Sequence, residues 1–370
     1  MRKGRTSFFA SRWGIILVGA AIGVVGVLLR KLGNPPNMGI CVACFERDIA
    51  GALGLHRAAP VQYLRPEIPA FVLGSLIAAL AFREFRPRTG SAPIVRFFLG
   101  GFAMIGALAF LGCPWRAFFR LAGGDLNALI AIVGLAVGIA AGVAFLRGGY
   151  SLGRSSPARG AVGWITPGVM LGLVALAFIR PSFLLRSESG PGALHAAIGV
   201  SLVAGLLIGV LAQRTRFCTM GAVRDVILAR DTHLLSGVLG LLVAAFLLNL
   251  VFGFVRFGFS AQPVSHSNWV WNFLGMMLSG LAYALAGGCP GRQLFLAGEG
   301  DGDAGVFVLG MLSGAAFAHN FGLAAKADAV ANGVLQVGGP PPNGQLAVVL
   351  GLVFCAAIGF AMRERWEAKR

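Results

Sequence analysis

The chain has 370 residues, 57% of them hydrophobic, with 31 Lys and Arg against 14 Asp and Glu for a formal net charge of +17. Charged residues make up only 12%, about half the share usual in globular proteins, while the 55 glycines are roughly twice the usual frequency. That leaves too little polar surface to cover a soluble domain of this length and too much apolar character for a disordered chain, so the composition specifies a polytopic membrane protein.

About 20 apolar residues cross a bilayer core as a helix. The pattern predicts ten such stretches and an all-α fold: 13–32, 66–83, 94–112, 126–147, 161–180, 193–213, 233–256, 269–288, 303–321 and 345–362. The first has a basic start and no small-x-small cleavage site, and it runs into Arg30 and Lys31. It reads as a retained helix, not as a signal peptide. Residues 38–55, which hold Cys41, Cys44, Arg47 and Asp48, are too short and too polar to span. They read as a re-entrant amphipathic helix, and so do residues 216–231 with Cys218, Arg224 and Asp225. The third span leads into Gly112-Cys113-Pro114-Trp115-Arg116, and the eighth into Gly288-Cys289-Pro290-Gly291-Arg292. Proline suits the first position of a helix, so 114–122 and 290–297 are predicted as half-helices beginning at Pro114 and Pro290. His195 in the sixth span and His319 at the end of the ninth read first as satisfied interior histidines, with gating or proton handling as the sharper alternative. Cys355 reads as packing. The tryptophans lie mostly near span ends, as interfacial anchors do. No strand leads into a nucleotide-binding glycine motif, and no cofactor is called for.

Charge placement orients the chain. With the N-terminus inside, the inner segments collect Arg2, Lys3, Arg5 and Arg12, then Arg83, Arg86, Arg88 and Arg96, then Arg147, Arg154 and Arg159, then Arg214, Arg216, Arg224 and Arg230, then Arg292, with Arg363, Arg365, Lys369 and Arg370 at the end. The outer segments hold fewer, so both termini are expected in the cytoplasm of a cell with an inner (plasma) membrane. Much of the positive charge then serves topology, and no nucleic-acid partner is needed to explain it.

The two cysteine blocks recur. An offset of 177 aligns Cys41, Arg47 and Asp48 with Cys218, Arg224 and Asp225, and an offset of 176 aligns the two Gly-Cys-Pro blocks. An odd number of spans per half turns the second copy over in the membrane, which is the inverted-topology repeat of many secondary transporters. The expected organisation is a first repeat with its linker over 1–160, a connecting helix and loop over 161–192, and a second repeat over 193–370.

The half-helix starts carry the chemistry. A helix N-terminus offers free backbone N–H groups and a positive dipole end, which favour an anion and a thiolate. Cys113 and Cys289 sit at such starts, with Arg116 and Arg292 in the first turn. The bland reading is a small apolar residue in a tight break, but two copies in an inverted repeat favour function. Topology sorts Cys41 and Cys113 to the outer side and Cys218 and Cys289 to the inner side, a line of soft sulfur groups suited to soft substrates. Arg47-Asp48 and Arg224-Asp225 read as structural ion pairs. The recurrence of Arg47, Arg116, Arg224 and Arg292 beside the cysteines, with few acidic residues, predicts a partly uncompensated positive path. Cys41-x-x-Cys44 also has a redox or zinc spacing, but Gly221 stands where Cys44 would repeat.

The blocks at 41–51 and 216–225, both Gly-Cys-Pro motifs and Gly338-Gly339-Pro340-Pro341-Pro342-Asn343-Gly344 are where the chain resembles the YeeE/YedE family of sulfur-compound transporters. It looks most like the YedE branch, linked to selenium transport. The resemblance implies loops bent toward the membrane centre and cysteines that pass thiosulfate along through S–H hydrogen bonds, a role it assigns to Cys41, Cys113 and Cys289. Cys218 joins them from the internal repeat. Cys44 and a longer C-terminal region depart from the YeeE pattern. The expected function is therefore a non-enzymatic importer of a small soft sulfur or selenium anion, with the lipid bilayer and a cytoplasmic sulfur or selenium acceptor protein as candidate partners. The alternative is a membrane redox or sulfur-relay protein that uses Cys41 and Cys44.

Overall fold

The computed structural model describes residues 8–363. The basic residues Arg2, Lys3, Arg5, Arg365, Lys369 and Arg370, and the terminal Trp366, lie outside the described residues. In chain order the helices are α1 (Arg12–Lys31), α2 (Val42–Ala52), α3 (Glu67–Ala81), α4 (Pro93–Phe110), α5 (Pro114–Ala122), α6 (Asn127–Arg147), α7 (Gly160–Ile179), α8 (Ile198–Thr215), α9 (Thr219–Ala229), α10 (His233–Val251), α11 (Trp269–Ala286), α12 (Pro290–Gly298), α13 (Gly302–Asn320) and α14 (Pro342–Ala361). Nine helical stretches among the described residues are long and apolar enough to cross a membrane. This is an all-α, multi-pass membrane protein.

Two short antiparallel ribbons, which the sequence pattern did not signal, tie loops together: Arg88–Thr89 with Ser156–Pro157, and Ala329–Ala331 with Val334–Gln336. The predicted second span is also cut down. Helix α3 has 15 residues, about 22 Å at the α-helical rise, because it starts below the surface. Pro66 caps it, and the buried Glu67 carboxylate accepts hydrogen bonds from Asn34 (3.0 Å) and Ser201 (2.9 Å). His195 is not in a span. Helix α8 begins only at Ile198, because the preceding segment is pinned in extended form: Arg65 donates to the carbonyls of Pro191 and Leu194, and Asn34 holds the Ala196 N–H. The His195 ring stacks on Tyr63 at 4.0 Å instead. Trp13, Trp164 and Trp269 are exposed near helix starts, but Trp115 is completely buried and is no interfacial anchor.

The helices pack as close parallel pairs, α1 with α10, α3 with α8, α4 with α13 and α6 with α11, while α4 and α11 run in opposite directions against each other. Glycine makes this possible. A Cβ on Gly74 of α3 would collide with the Leu206 carbonyl of α8, one on Gly310 of α13 with that of Phe97 in α4, and one on Gly134 of α6 with that of Phe273 in α11. Lipid offers no hydrophobic drive between helices, so backbone-to-backbone van der Waals contact supplies the adhesion and small residues line the seams. That is where much of the glycine excess goes. The large apolar side chains left exposed, among them Leu17, Val203, Leu247 and Val353, clothe the outward faces in contact with lipid.

Gly310→Leu is expected to lower the melting temperature of the detergent-purified protein, overpacking of this kind costing about 1–3 kcal/mol or more. Gly168→Leu, where a side chain would meet nothing within 4 Å, is expected to leave it unchanged. Differential scanning fluorimetry compares the two directly.

Candidate functional site

Four helices begin at a cysteine. Cys41 and Cys218 are the residues immediately before α2 and α9, in extended backbone conformation, and each sulfur accepts a hydrogen bond from the third residue on: Cys44 N–H at 3.3 Å, Gly221 N–H at 3.2 Å. The sulfur does what a serine or aspartate oxygen does at an ordinary N-cap. Cys113 and Cys289 precede α5 and α12, also extended, with Pro114 and Pro290 next. Helices α4 and α11 stop just before them through left-handed residues, Leu111 (φ 63) and Gly287 (φ 86). The following Gly112 and Gly288 N–H groups turn back to the carbonyls of Ala107 (2.7 Å) and Tyr283 (3.0 Å). Both glycines are covered by the folded-back side chains of Arg116 and Arg292, which explains the Gly-Cys-Pro-x-Arg wording.

These four starts meet in two sulfur clusters. Cys41 Sγ lies 3.8 Å from Cys113 Sγ and 2.7 Å from Cys44 Sγ. Cys218 Sγ lies 3.7 Å from Cys289 Sγ. Sequence reasoning kept Cys44 only for the redox or sulfur-relay alternative, yet it belongs to the first cluster and accepts a hydrogen bond from Arg116 Nη1 at 3.3 Å. Its spacing from Cys41 was the available signal. Cys355 is buried in α14, apart from both clusters.

The expected positive path is narrower than the charge count suggests. Arg47 donates to Asp48 (2.6 Å), which Arg65 also contacts at 2.9 Å, all three buried. Arg224 is paired with Asp225 at 2.8 Å, and Arg292 with Glu299 at 3.2 Å. Glu299 lies seven residues beyond Arg292, two turns along and just past the end of α12, a pairing that residue order alone does not display. Arg116 differs. It is wholly buried, has no carboxylate partner among the described residues, and spends its donors on the carbonyls of Asn37, Leu111 and Val264 and on Cys44. Its charge stays uncompensated beside the first cluster.

Aromatic rings separate the clusters. Trp115 of α5 lies edge-to-face with Phe217, 5.5 Å between centroids, and within 6.0 Å of Phe71 and 6.2 Å of Phe295. Its indole also lies against Gly291, beside Cys289. The two sides of this partition differ. Cys41, Cys44 and Cys113 are fully buried. Cys218 lines a cavity of about 760 Å³ that also touches Arg214, Arg216, Arg224 and Arg292. The cavity opens on the face where α1 begins, since Phe9 and Ala10 form part of its wall. His233 lines the cavity together with Cys218. His319 lies against His56 with ring centroids 4.5 Å apart and tilted by 32°, and His56 bonds the Arg47 carbonyl through Nε2 at 3.0 Å.

Half-helices that start inside a helical membrane bundle, with paired thiols at their tips and an open basic cavity on one side, define the class: a multi-pass membrane protein with re-entrant cysteine-capped helices. The comparisons with known proteins agree. Residues 214–370 match the family model described as Sulphur transport. The chain is 31% identical over 100 residues to the thiosulfate transporter TsuA of Escherichia coli strain K12, covering 27% of this chain and 28% of that protein. It is 33% identical over 103 residues to the thiosulfate transporter TsuA of Spirochaeta thermophila, covering 28% and 31%. The aligned part therefore spans less than a third of either relative. The match to the sulfur-transport model covers the second cysteine block and the second Gly-Cys-Pro motif, two of the stretches that carry the resemblance in the sequence.

Asp48→Ala strands two buried guanidinium groups and is expected to cost about 3–5 kcal/mol of stability. Asp225→Ala, in a pair exposed by 32% and 24%, should cost no more than about 1 kcal/mol. Thermal unfolding in detergent separates the two. Cysteine labelling gives a second check: a maleimide added to the folded protein should modify Cys218 first and the three cysteines of the other cluster last, as read by peptide mass spectrometry.

Proposed function

We propose that this protein is an inner-membrane transporter that imports a small, soft anion of sulfur or selenium, thiosulfate being the first to test. The observation that carries the reading is the pair of sulfur clusters on either side of one aromatic partition, with the uncompensated charge of Arg116 on one and an open basic cavity on the other. An anion would enter at Cys41, Cys44 and Cys113, pass the rings of Trp115 and Phe217, and leave past Cys218 and Cys289. Thiols donate weak hydrogen bonds and are polarisable, so they hold a soft anion without trapping it. Arg116 and Arg292 would steer the ion. Arg47, Asp48, Arg224 and Asp225, with the Gly-Cys-Pro glycines and prolines, would hold the frame. The cavity face would be cytoplasmic by the positive-inside rule, and a cytoplasmic acceptor of sulfur or selenium could dock there.

Two halves of opposite orientation, 1–160 and 193–370 joined through 161–192, fit the same reading. The exchange of partners supports it: α1 packs on α10 as α8 packs on α3, and α4 on α13 as α11 on α6. Substrate sites at such a repeat interface are a recurrent transporter design. The shape described is the one closed on the Cys41 side.

Replacing Cys113 or Cys289 by Ala should lower uptake of labelled thiosulfate about tenfold or more in cells without another route, a loss near 1.4 kcal/mol. Unchanged uptake of thiosulfate and of every tested selenium anion would sink the role of these thiols. The close Cys41–Cys44 contact favours one second reading, a redox or sulfur relay. Intact mass spectrometry distinguishes them, because a relay requires a persulfide or disulfide on Cys41 or Cys44 during turnover, whereas a transporter works with free thiols throughout.

A further inference from the structure

Glu46 is not explained by either the ion-pair frame or the sulfur clusters. It lies in α2, two residues beyond Cys44, with no exposed surface. Both its carboxyl oxygens lack a hydrogen-bond partner among the described residues. The cations around it are committed elsewhere: Arg47 and Arg65 to Asp48, Arg116 to three carbonyls and Cys44. The helices packed on α2 are α3, α4, α12 and α13. Of their charged or titratable groups, Glu67 is bound by Asn34 and Ser201, Arg96 by Ser91 and the Ala286 carbonyl, Arg292 by Glu299, and Asp303 by Thr89 and the backbone of Gly90 and Ser91. His319, at the far end of α13, faces His56. A carboxylate held there without partner or counter-ion would cost several kcal/mol, so in this conformation the group is the neutral acid.

Its surroundings point to a ligand. Tyr283 of α11 is fully buried, and its hydroxyl is also without a partner among the described residues. Trp115 Nε1, two residues from Cys113, and Thr219 Oγ1, next to Cys218, are in the same condition. Three buried donors are thus unpaired, two of them within two residues of a cluster cysteine. They suit a passing anion, and Glu46 is the one group among them that can gain or lose a proton at modest pH.

We propose that Glu46 is the proton-binding residue that couples one proton to each anion carried. The inference rests on the transport reading above. Ionised, Glu46 repels the anion. Protonated, it donates its O–H to the anion as the anion leaves the first cluster. The proton taken up from the side of that cluster is released into the basic cavity, and Glu46 returns to its starting state with no net change.

The test uses the full chain in proteoliposomes with labelled thiosulfate. An inward gradient of one pH unit should raise the wild-type steady-state accumulation ratio about tenfold, one coupled proton being worth that factor, and a protonophore should abolish the rise. In Glu46→Gln the ratio of uptake with and without the gradient should fall to about one, whatever the absolute rate. Thiosulfate influx into wild-type vesicles should also acidify the lumen, which an internal pH dye reads without any variant. Influx without acidification, or a Glu46→Gln protein that still responds to the gradient, overturns the proton role and leaves transport standing. Neither uptake nor exchange by the wild type overturns the transport reading and this inference with it.

Discussion

A bilayer supplies no water to the ends of a helix. Each helix that starts within the protein at membrane depth must therefore satisfy its own free N–H groups, and this constraint organises the molecule. Four helices begin at a cysteine. Cys41 and Cys218 solve the problem with their own sulfur, while Pro114 and Pro290 solve part of it by having no N–H to satisfy. Because the starts must be enclosed, the spanning helices close around them, and glycine lets the seams close to backbone contact. The sulfur pairs at 3.7 and 3.8 Å follow from bringing two such starts together from each side.

The same enclosure governs charge. Burying a guanidinium is tolerated when a carboxylate or several carbonyls receive it, and every buried arginine near the clusters obeys that rule. Asp48 serves two of them. Arg116 is the exception in kind: carbonyl oxygens satisfy its donors but do not cancel its charge, so its field extends over Cys44. The matching position, Arg292, is neutralised by Glu299. The two sets of cysteine-capped helix starts thus share local geometry but differ in what surrounds them. Trp115 fills the space that its counterpart Gly291 leaves open, and Cys44 has Gly221 as its counterpart. One side is sealed and charged, the other open and paired.

Much of this was legible in the sequence, because the bilayer permits so few backbone solutions. Apolar runs located nine spanning stretches, and Gly-Cys-Pro located both half-helices, since a proline after an apolar run leaves little but a new helix start. What escaped depended on side chains that meet across the fold. The early stop before α3 comes from Asn34 and Ser201 reaching Glu67, and the displacement of His195 from α8 comes from Arg65, 130 positions upstream. Trp115 resembled an interfacial anchor because Trp usually is one. Glu46 sat beside an Arg-Asp pair that accounted for the charge of its neighbourhood, although an acidic residue left without a basic partner in a re-entrant segment was itself the clue.

A transport path has to bind its ion well enough to desolvate it and weakly enough to release it. A corridor lined by free arginines would hold a small anion fast, and a corridor of aromatic rings alone would not admit it. In the proposed path the two requirements are divided along its length. One unpaired guanidinium attracts the ion to the sealed cluster. Polarisable thiols and unpaired hydroxyl and indole donors replace its water over the next stretch. The paired arginines of the cavity, already satisfied by Asp225 and Glu299, offer the departing ion little reason to stay. The placement of carboxylates beside three of the four matched arginines would then act as a gradient in affinity, and a titratable Glu46 in the helix that follows Cys41 would tie the flow to a proton gradient.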